Sequence, residues 1–430
     1  MSMRIVKNVL IAGAIITMLA HPLYAQMKGA SMGRMLSVVS DGPFDAGRNP
    51  ALLILQQGKH AAGASYQYKI SRKYEADASL TAGTYEIDET SSMAMSGDLA
   101  YSLKLSDLVL GLSLARNELK DSYASTSTKS TATVSELPSV RGQYEETKTK
   151  ELNPVFGASL AIPVSKDSSL GLQLLTGYYY SKATSSSSLA QDGSISSFIN
   201  SKKRTQESIA AELGFGYQYT TPQTQLGFLL RSGKLSVESE RMSFRYAGML
   251  EGSEEFSSFW SYQGGINITA GGYRRLAPFL ALSLEATFSF ESNYPNRDME
   301  LNISTSTGYP ALEKAKYDVS AKNIIYLKGG IEVNPIPQLA VTLGGGYTYI
   351  AVSNRRKNYF DKDIKQDISS EIYFFTGGLH YAITPKISLS LLAQATKSSS
   401  DVGVQQMSRF IELDVDVFTI DTGIAAVMAF

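Results

Sequence analysis

Along most of this chain, apolar side chains recur at every second position. Leu280, Leu282, Leu284, Ala286, Phe288 and Phe290 alternate with Ala281, Ser283, Glu285, Thr287 and Ser289, and Ile387, Leu389, Leu391 and Ala393 alternate with Ser388, Ser390, Leu392 and Gln394. Leu108 to Leu114 and Leu170 to Tyr180 repeat the pattern. Successive side chains of a strand point to opposite faces, so this period predicts β-strands with one greasy face. The alternation runs about twice the 5–6 residues usual for strands of a soluble sandwich. Strands are expected near 60–76, 92–105, 108–122, 150–164, 168–184, 203–220, 223–240, 256–275, 278–292, 315–333, 338–353, 367–383, 386–399 and 409–430, fourteen in all.

Every second junction is a tight turn: Ser106-Asp107, Ser165-Lys166-Asp167, Thr221-Pro222, Arg275-Leu276-Ala277, Asn334-Pro335-Ile336-Pro337 and Thr384-Pro385. The junctions between them, 121–149, 184–202, 241–255, 292–314 and 354–366, are long, polar and mostly Ser-rich, and read as loops. Short turns on one rim and long connections on the other, with an even strand number, specify an all-β fold, a transmembrane antiparallel β-barrel of about 14 strands.

Composition fits that reading once the two faces are separated. The chain has 430 residues, 40 Lys+Arg against 40 Asp+Glu, no Cys, 25 Tyr and 35 Gly. A net charge of zero leaves no footprint for nucleic acid. The absence of cysteine removes disulfides, thiolate nucleophiles and cysteine metal sites. Lipid-facing apolar and lumenal polar residues cancel in the average, so middling hydrophobicity is compatible with a membrane protein. Tyr66, Tyr68, Tyr178, Tyr179, Tyr180, Tyr217, Tyr219, Tyr347 and Tyr349 are expected toward the long-loop ends of their strands, as an interfacial girdle. Strand glycines such as Gly111, Gly171, Gly214 and Gly216 imply curvature or close packing against something inside.

The chain begins with a secretory pattern. Arg4 and Lys7 precede an apolar run, Val9 to Ala20, and Leu23-Tyr24-Ala25 is a small-residue cleavage site. We expect 1–25 to be a signal peptide, 26–58 an N-terminal plug, and 59–430 the barrel. At the other end, Ile424, Met428 and Phe430 lie on the outward parity of the last strand, a terminal alternation that resembles the signal outer-membrane barrels present to their assembly machinery. Glu412, Asp414 and Asp416 share that parity, and acidic groups facing lipid are costly, so the strand is expected to leave the bilayer there. These three form a weak Ca²⁺ candidate, together with lipopolysaccharide phosphates. The opposite parity, Leu413, Val415 and Val417, would make an apolar inner wall suited to a hydrophobic ligand.

Residues 26–58 carry a more specific pattern: Gly33-Arg34, then Asp41 followed by Asp45-Ala46, then Arg48-Asn49-Pro50-Ala51-Leu52. This resembles the N-terminal hatch of the outer-membrane long-chain fatty-acid transporters, a family of fourteen-stranded barrels whose N-terminal segment plugs the lumen. The resemblance implies passive uptake of hydrophobic compounds such as fatty acids, through an apolar pocket and a lateral exit into the membrane. Gly33, Arg34, Asp41, Asp45, Asn49, Pro50 and Ala51 match hatch positions. The spacing between Asp41 and Asn49 departs from the family pattern, so the inner turn of the hatch is not carried over. The implied partners are a hydrophobic small molecule or fatty acid, outer-membrane lipids and the barrel-assembly machinery, with no cofactor.

Two other classes stay open on the residues themselves: an adaptor barrel for secretion or adhesion, and a general porin. An enzyme is not expected. A serine hydrolase needs a base, usually His, and beyond the signal only His60 and His380 exist, both read as rim or lumen histidines. Gly111-Leu112-Ser113-Leu114-Ala115 lies within a strand and lacks the strand-to-helix turn of a nucleophile elbow.

Overall fold

The computed structural model describes residues 31–430 except 33, 57, 81–82, 131–139, 192–193, 247–251, 291, 304–310, 322, 358–362, 385 and 407–408, and in the outer parts of many strands it describes the backbone alone. Two short 3₁₀ turns, η1 (Gly42–Gly47) and η2 (Pro50–Leu55), precede the strands. The first strands are β1 (His60–Leu80), β2 (Gly83–Leu105), β3 (Leu108–Ser130), β4 (Val140–Pro163), β5 (Ser168–Gln191) and β6 (Ser194–Thr220). There follow β7 (Thr224–Arg231), β8 (Leu235–Tyr246), β9 (Gly252–Gln263), β10 (Asn267–Ala277), β11 (Leu280–Ser289) and β12 (Ser292–Ile303). The last are β13 (Ala311–Ala321), β14 (Ile324–Ile336), β15 (Leu339–Lys357), β16 (Asp363–Thr384), β17 (Ile387–Gln406) and β18 (Arg409–Ala429).

These eighteen segments make fourteen wall strands, because β7/β8, β9/β10, β11/β12 and β13/β14 are each one wall strand interrupted part-way. β6, for example, pairs with β7 near one rim and with β8 beyond it. All pairings are antiparallel, and β1 pairs with β18 from Ala61↔Ala429 to Asp77↔Asp414, so the sheet closes. Closure leaves no strand edge to satisfy within a bilayer.

The period of two sorts the faces as expected. In β11, Ala281, Ser283, Glu285 and Thr287 are buried, whereas Leu282 and Leu284 are exposed on the outer wall. Exposed Leu, Ile and Phe side chains recur on the outer face from β2 to β18, an apolar belt that a bilayer covers. Phe418, Ile420, Ile424, Met428 and Phe430 all belong to it.

The structure corrects three expectations. The polar stretches read as long loops are mostly strand: β3 pairs with β4 out to Thr128↔Gln143, and β5 with β6 out to Gln191↔Ser194. Ser and Thr satisfy a ladder without an apolar face, so hydrophobic alternation stops before the pairing does. Two short turns begin three residues later than expected, at Pro278-Phe279 and Pro337-Gln338, the second overlapping the expected stretch at Pro337. There Pro opens the turn, while Arg275 still donates its N–H to the Gln223 carbonyl. Tyr217 and Tyr219 lie at the short-turn end, beside Thr221-Pro222, so the aromatics form two girdles. Tyr101 and Tyr381 join the lower one, and Tyr178, Tyr349 and Tyr373 the upper.

Candidate functional site

The described residues of 31–56, all but 33, run inside the barrel at its short-turn end. Their folding is set locally. Arg34 takes a left-handed backbone, φ 58°. The Arg48 guanidinium donates to the Asp41 carboxylate in a wholly buried pair, which bridges the two ends of η1. Asp45 lies in the same turn and accepts from the Ser40 hydroxyl at 2.7 Å and the Asp41 N–H at 3.1 Å. Burial pushes the Asp45 carboxyl well above the usual carboxylate range, and the Ser40 hydroxyl opposes this more weakly. The stretch between Asp41 and Asn49, where the family pattern fails, is thus occupied by η1. Asn49 caps η2 by accepting the Ala51 N–H at 3.2 Å, while its amide donates to the Ser37 carbonyl at 3.0 Å. Pro50, with no N–H to satisfy, suits the first position of that turn.

The wall holds this segment at several heights. The Glu285 carboxylate accepts the Leu36 N–H at 2.8 Å, the Ser37 N–H at 2.6 Å and the Ser37 hydroxyl at 2.7 Å. Lys328, from the neighbouring strand β14, donates to Glu285 at 2.9 Å and to the Arg34 carbonyl at 3.2 Å. Arg34 donates to Gln394 at 2.8 Å, and its guanidinium lies 5.0 Å from the Phe374 ring centre. Ser31 contacts His380 at 2.8 Å and accepts from Thr342 at 2.5 Å. Across the barrel, Ser169 donates to the Ala51 carbonyl at 2.9 Å, the Gln173 amide to the Ala46 carbonyl, and Arg231 to the Gly47 carbonyl at 3.2 Å.

Where the segment's backbone comes closest, the wall has glycine. A methyl at Gly171 would collide with the Ala51 nitrogen, one at Gly216 with the Asn49 side chain, and one at Gly227 with the Ser37 carbonyl. Of the strand glycines singled out in the sequence, Gly111, Gly171 and Gly216 therefore pack against something inside, whereas Gly214 faces Gln173.

Beyond the segment, toward the long hairpins, one sector of the lumen is apolar. Ile324, Ile350, Val352 and Ile372 pack together as buried, inward-facing side chains, with Tyr326 against them. Phe374, two residues nearer the short-turn rim than Ile372, joins this sector to Arg34. Thr348 and Ser370 flank it with hydroxyls.

Of the residues expected from sequence, Arg34, Asp41, Asp45, Asn49, Pro50 and Ala51 are gathered in this lumenal segment; Gly33 lies outside the described residues. Ile424, Met428 and Phe430 are about half exposed, at 50%, 49% and 54%, on the outer wall. Leu413, Val415 and Val417, and Glu412, Asp414 and Asp416, lie on β18, but their side chains fall outside the described residues. No cluster of His, Asp and Glu suited to a metal occurs among the described residues. His60 stacks on Phe430 with ring centres 5.5 Å apart at the rim, and His380 is the lumenal partner of Ser31.

Sequence reasoning missed Glu285, Lys328, Gln173, Arg231 and the Ile324 sector. A signal existed for Glu285, the one charge in the otherwise apolar-to-neutral alternation of 280–290. Ile324, Ile350 and Ile372 carried no such signal, because an inward apolar residue beside outward apolar ones blurs the period instead of marking it.

No protein-family model matches the chain, and no curated protein matches it. Solved structures share its fold. The Pseudomonas putida toluene transporter TodX is similar over 94% of this chain and 98% of its own, at 11% identity and a TM-score of 0.62. The Ralstonia pickettii toluene transporter TbuX covers 94% and 98% at 13% identity and 0.56. A Pseudomonas aeruginosa FadL homologue covers 95% and 99% at 12% identity and 0.56.

Proposed function

We propose that this barrel takes up hydrophobic compounds passively across the outer membrane, and that residues 26–58 act as a hatch closing its lumen. The observation that carries the reading is the buried apolar sector Ile324, Tyr326, Ile350, Val352, Ile372 and Phe374 directly above the N-terminal segment. A water-filled pore gains nothing from such a wall, whereas an acyl or aromatic cargo does. Each CH₂ released into water costs about 0.8 kcal/mol, so a hydrophobic solute is best passed from an apolar pocket into lipid. A lateral exit above a closed periplasmic end avoids the aqueous step. The toluene transporters and the FadL homologue, whose fold this chain shares, support the same direction. The pocket in this reading is the Ile324 sector; the wall expected at Leu413, Val415 and Val417 lies outside the described side chains.

Deletion of residues 26–58 tests the reading against the porin and adaptor alternatives. In reconstituted vesicles, the intact barrel should pass a labelled long-chain fatty acid and exclude sugars, and the deleted barrel should leak sugars. Sugar permeation by the intact barrel, or no fatty-acid transfer above empty vesicles, would defeat it.

A further inference from the structure

On the outer face, toward the long hairpins, one rung of the sheet gathers cations. The registers Lys150↔Lys182, Lys182↔Thr205 and Thr205↔Arg241 set Lys150 of β4, Lys182 of β5, Thr205 of β6 and Arg241 of β8 side by side. They share the parity of Phe156, Tyr178, Ile209 and Val237, which are exposed on the outer wall. Lys203 stands two residues further along β6 on the same face, diagonal to Lys182. Lys150, Lys203 and Arg241 are exposed, and Lys182 is half-buried. With strands about 4.8 Å apart, the rung spans about 15 Å.

Like charges directly opposite on neighbouring strands repel, and Lys150 faces Lys182 in that way. Among the described outward side chains of β4, β5, β6 and β8, the one carboxylate is Glu207, a rung nearer the membrane and beside Tyr180. Four cations against that carboxylate leave this face positive. On β16 and β17, in contrast, Glu371 and Lys397 lie on the outer face one rung apart, so charge is mixed there.

Height identifies what meets the cluster. Tyr180 and Tyr178 lie two and four residues below Lys182 on β5, about 7 and 13 Å along the strand. Tyr178 belongs to the upper aromatic girdle, which marks the membrane–water interface. Below it the wall is apolar at Ile209, Leu213, Leu235 and Val237. The cations therefore stand at the depth of the outer leaflet's headgroups, above acyl chains lying against that belt. Phosphate suits them: the lysines supply point charges, Arg241 a two-pronged donor, and the Thr205 hydroxyl one donor more.

We propose that Lys150, Lys182, Lys203 and Arg241 form a binding site for the phosphorylated headgroup of an outer-leaflet glycolipid, whose acyl chains cover the apolar wall below. The site lies outside the barrel, on different strands from the acidic row of β18, and is independent of any cargo in the lumen.

The full-length barrel, freed of lipid in detergent and titrated with bis-phosphorylated lipid A under native mass spectrometry, tests it. Lipid A should bind the parent, and lipid A stripped of its phosphates should bind far more weakly. Each cation at an anionic lipid surface contributes about a fivefold factor, so the double variant Lys182→Gln, Arg241→Gln should bind lipid A about 25-fold more weakly. Lys397→Gln should bind as the parent does. Excess inorganic phosphate should leave the lipid in place. In a melting assay, Lys182→Gln should shrink the rise in melting temperature that lipid A produces. Equal binding of the dephosphorylated lipid, displacement by inorganic phosphate, or undiminished binding by a double variant whose heat-modifiable gel migration is intact overturns the proposal. Where the double variant does not assemble, an undiminished lipid A shift in Lys182→Gln overturns it instead.

Discussion

Replacing Glu285 with Ala attacks the strongest attachment between wall and N-terminal segment. The carboxylate accepts three donors from Leu36 and Ser37 and neutralises Lys328, all buried. Removing one member of a buried ion pair costs about 3–5 kcal/mol, because the other charge is stranded. Each buried N–H left without an acceptor adds about 1–3 kcal/mol, though these costs overlap. Taking about 3 kcal/mol as the share that falls on docking, the undocked population rises roughly a hundredfold. Limited proteolysis reads this directly, since cleavage of a segment that opens and recloses quickly follows its open population. We predict cleavage within 31–56 about a hundredfold faster in Glu285→Ala, with heat-modifiable gel migration showing the wall intact. The double variant Glu285→Ala, Lys328→Met should recover part of the protection by removing the stranded ammonium. Cleavage within twofold of the parent, on an intact wall, would refute the assignment of Glu285 as the anchor.

Other predictions follow from the same geometry. Arg48→Met removes the guanidinium from its buried ion pair with Asp41, and should weaken docking by about 3–5 kcal/mol, read as accelerated proteolysis at η1; Asp41→Asn together with Arg48→Met should be milder than either alone. Burial raises the Asp45 carboxyl, so the docked segment holds a proton that the released one gives up. Docking is then strongest below about pH 3.9 and weakens as pH rises through the native value, by at most about 1.4 kcal/mol per pH unit. Asp45→Asn should flatten that dependence in a proteolysis-versus-pH series. Gly171→Val places a side chain against the Ala51 nitrogen and should release η2 while the barrel assembles, seen as raised single-channel conductance with unchanged gel migration.

The barrel was legible because its two faces obey one period. Leu282 and Leu284 outward, with Ser283 and Glu285 inward, follow from alternation alone, and the tight turns fixed which rim is which. The hairpins above the membrane were not legible: Thr126↔Glu145 and Ser186↔Glu146 pair across ladders in which neither face is apolar, so hydrophobicity has no period to show. Within the candidate site, Asn49-Pro50-Ala51 was readable through its resemblance to a known hatch motif, and the structure makes it a cap followed by Pro. The wall residues that grip the segment depend on register. Nothing in the sequence says that Gln173 faces Gly214 and reaches Ala46, or that Phe374 meets Arg34 from some 340 residues away. Such contacts come from closing the sheet, which no local pattern encodes.

The account turns on whether the Ile324 sector holds hydrophobic cargo. Native mass spectrometry of the purified barrel, challenged with a mixture of a long-chain fatty acid, a monoaromatic hydrocarbon and a sugar, decides it most directly when run beside the Ile350→Asp, Ile372→Asp double variant. The account predicts a hydrophobic molecule bound to the parent, no sugar, and loss of that molecule in the variant. An empty parent barrel, or binding that survives both substitutions in a folded barrel, would contradict it.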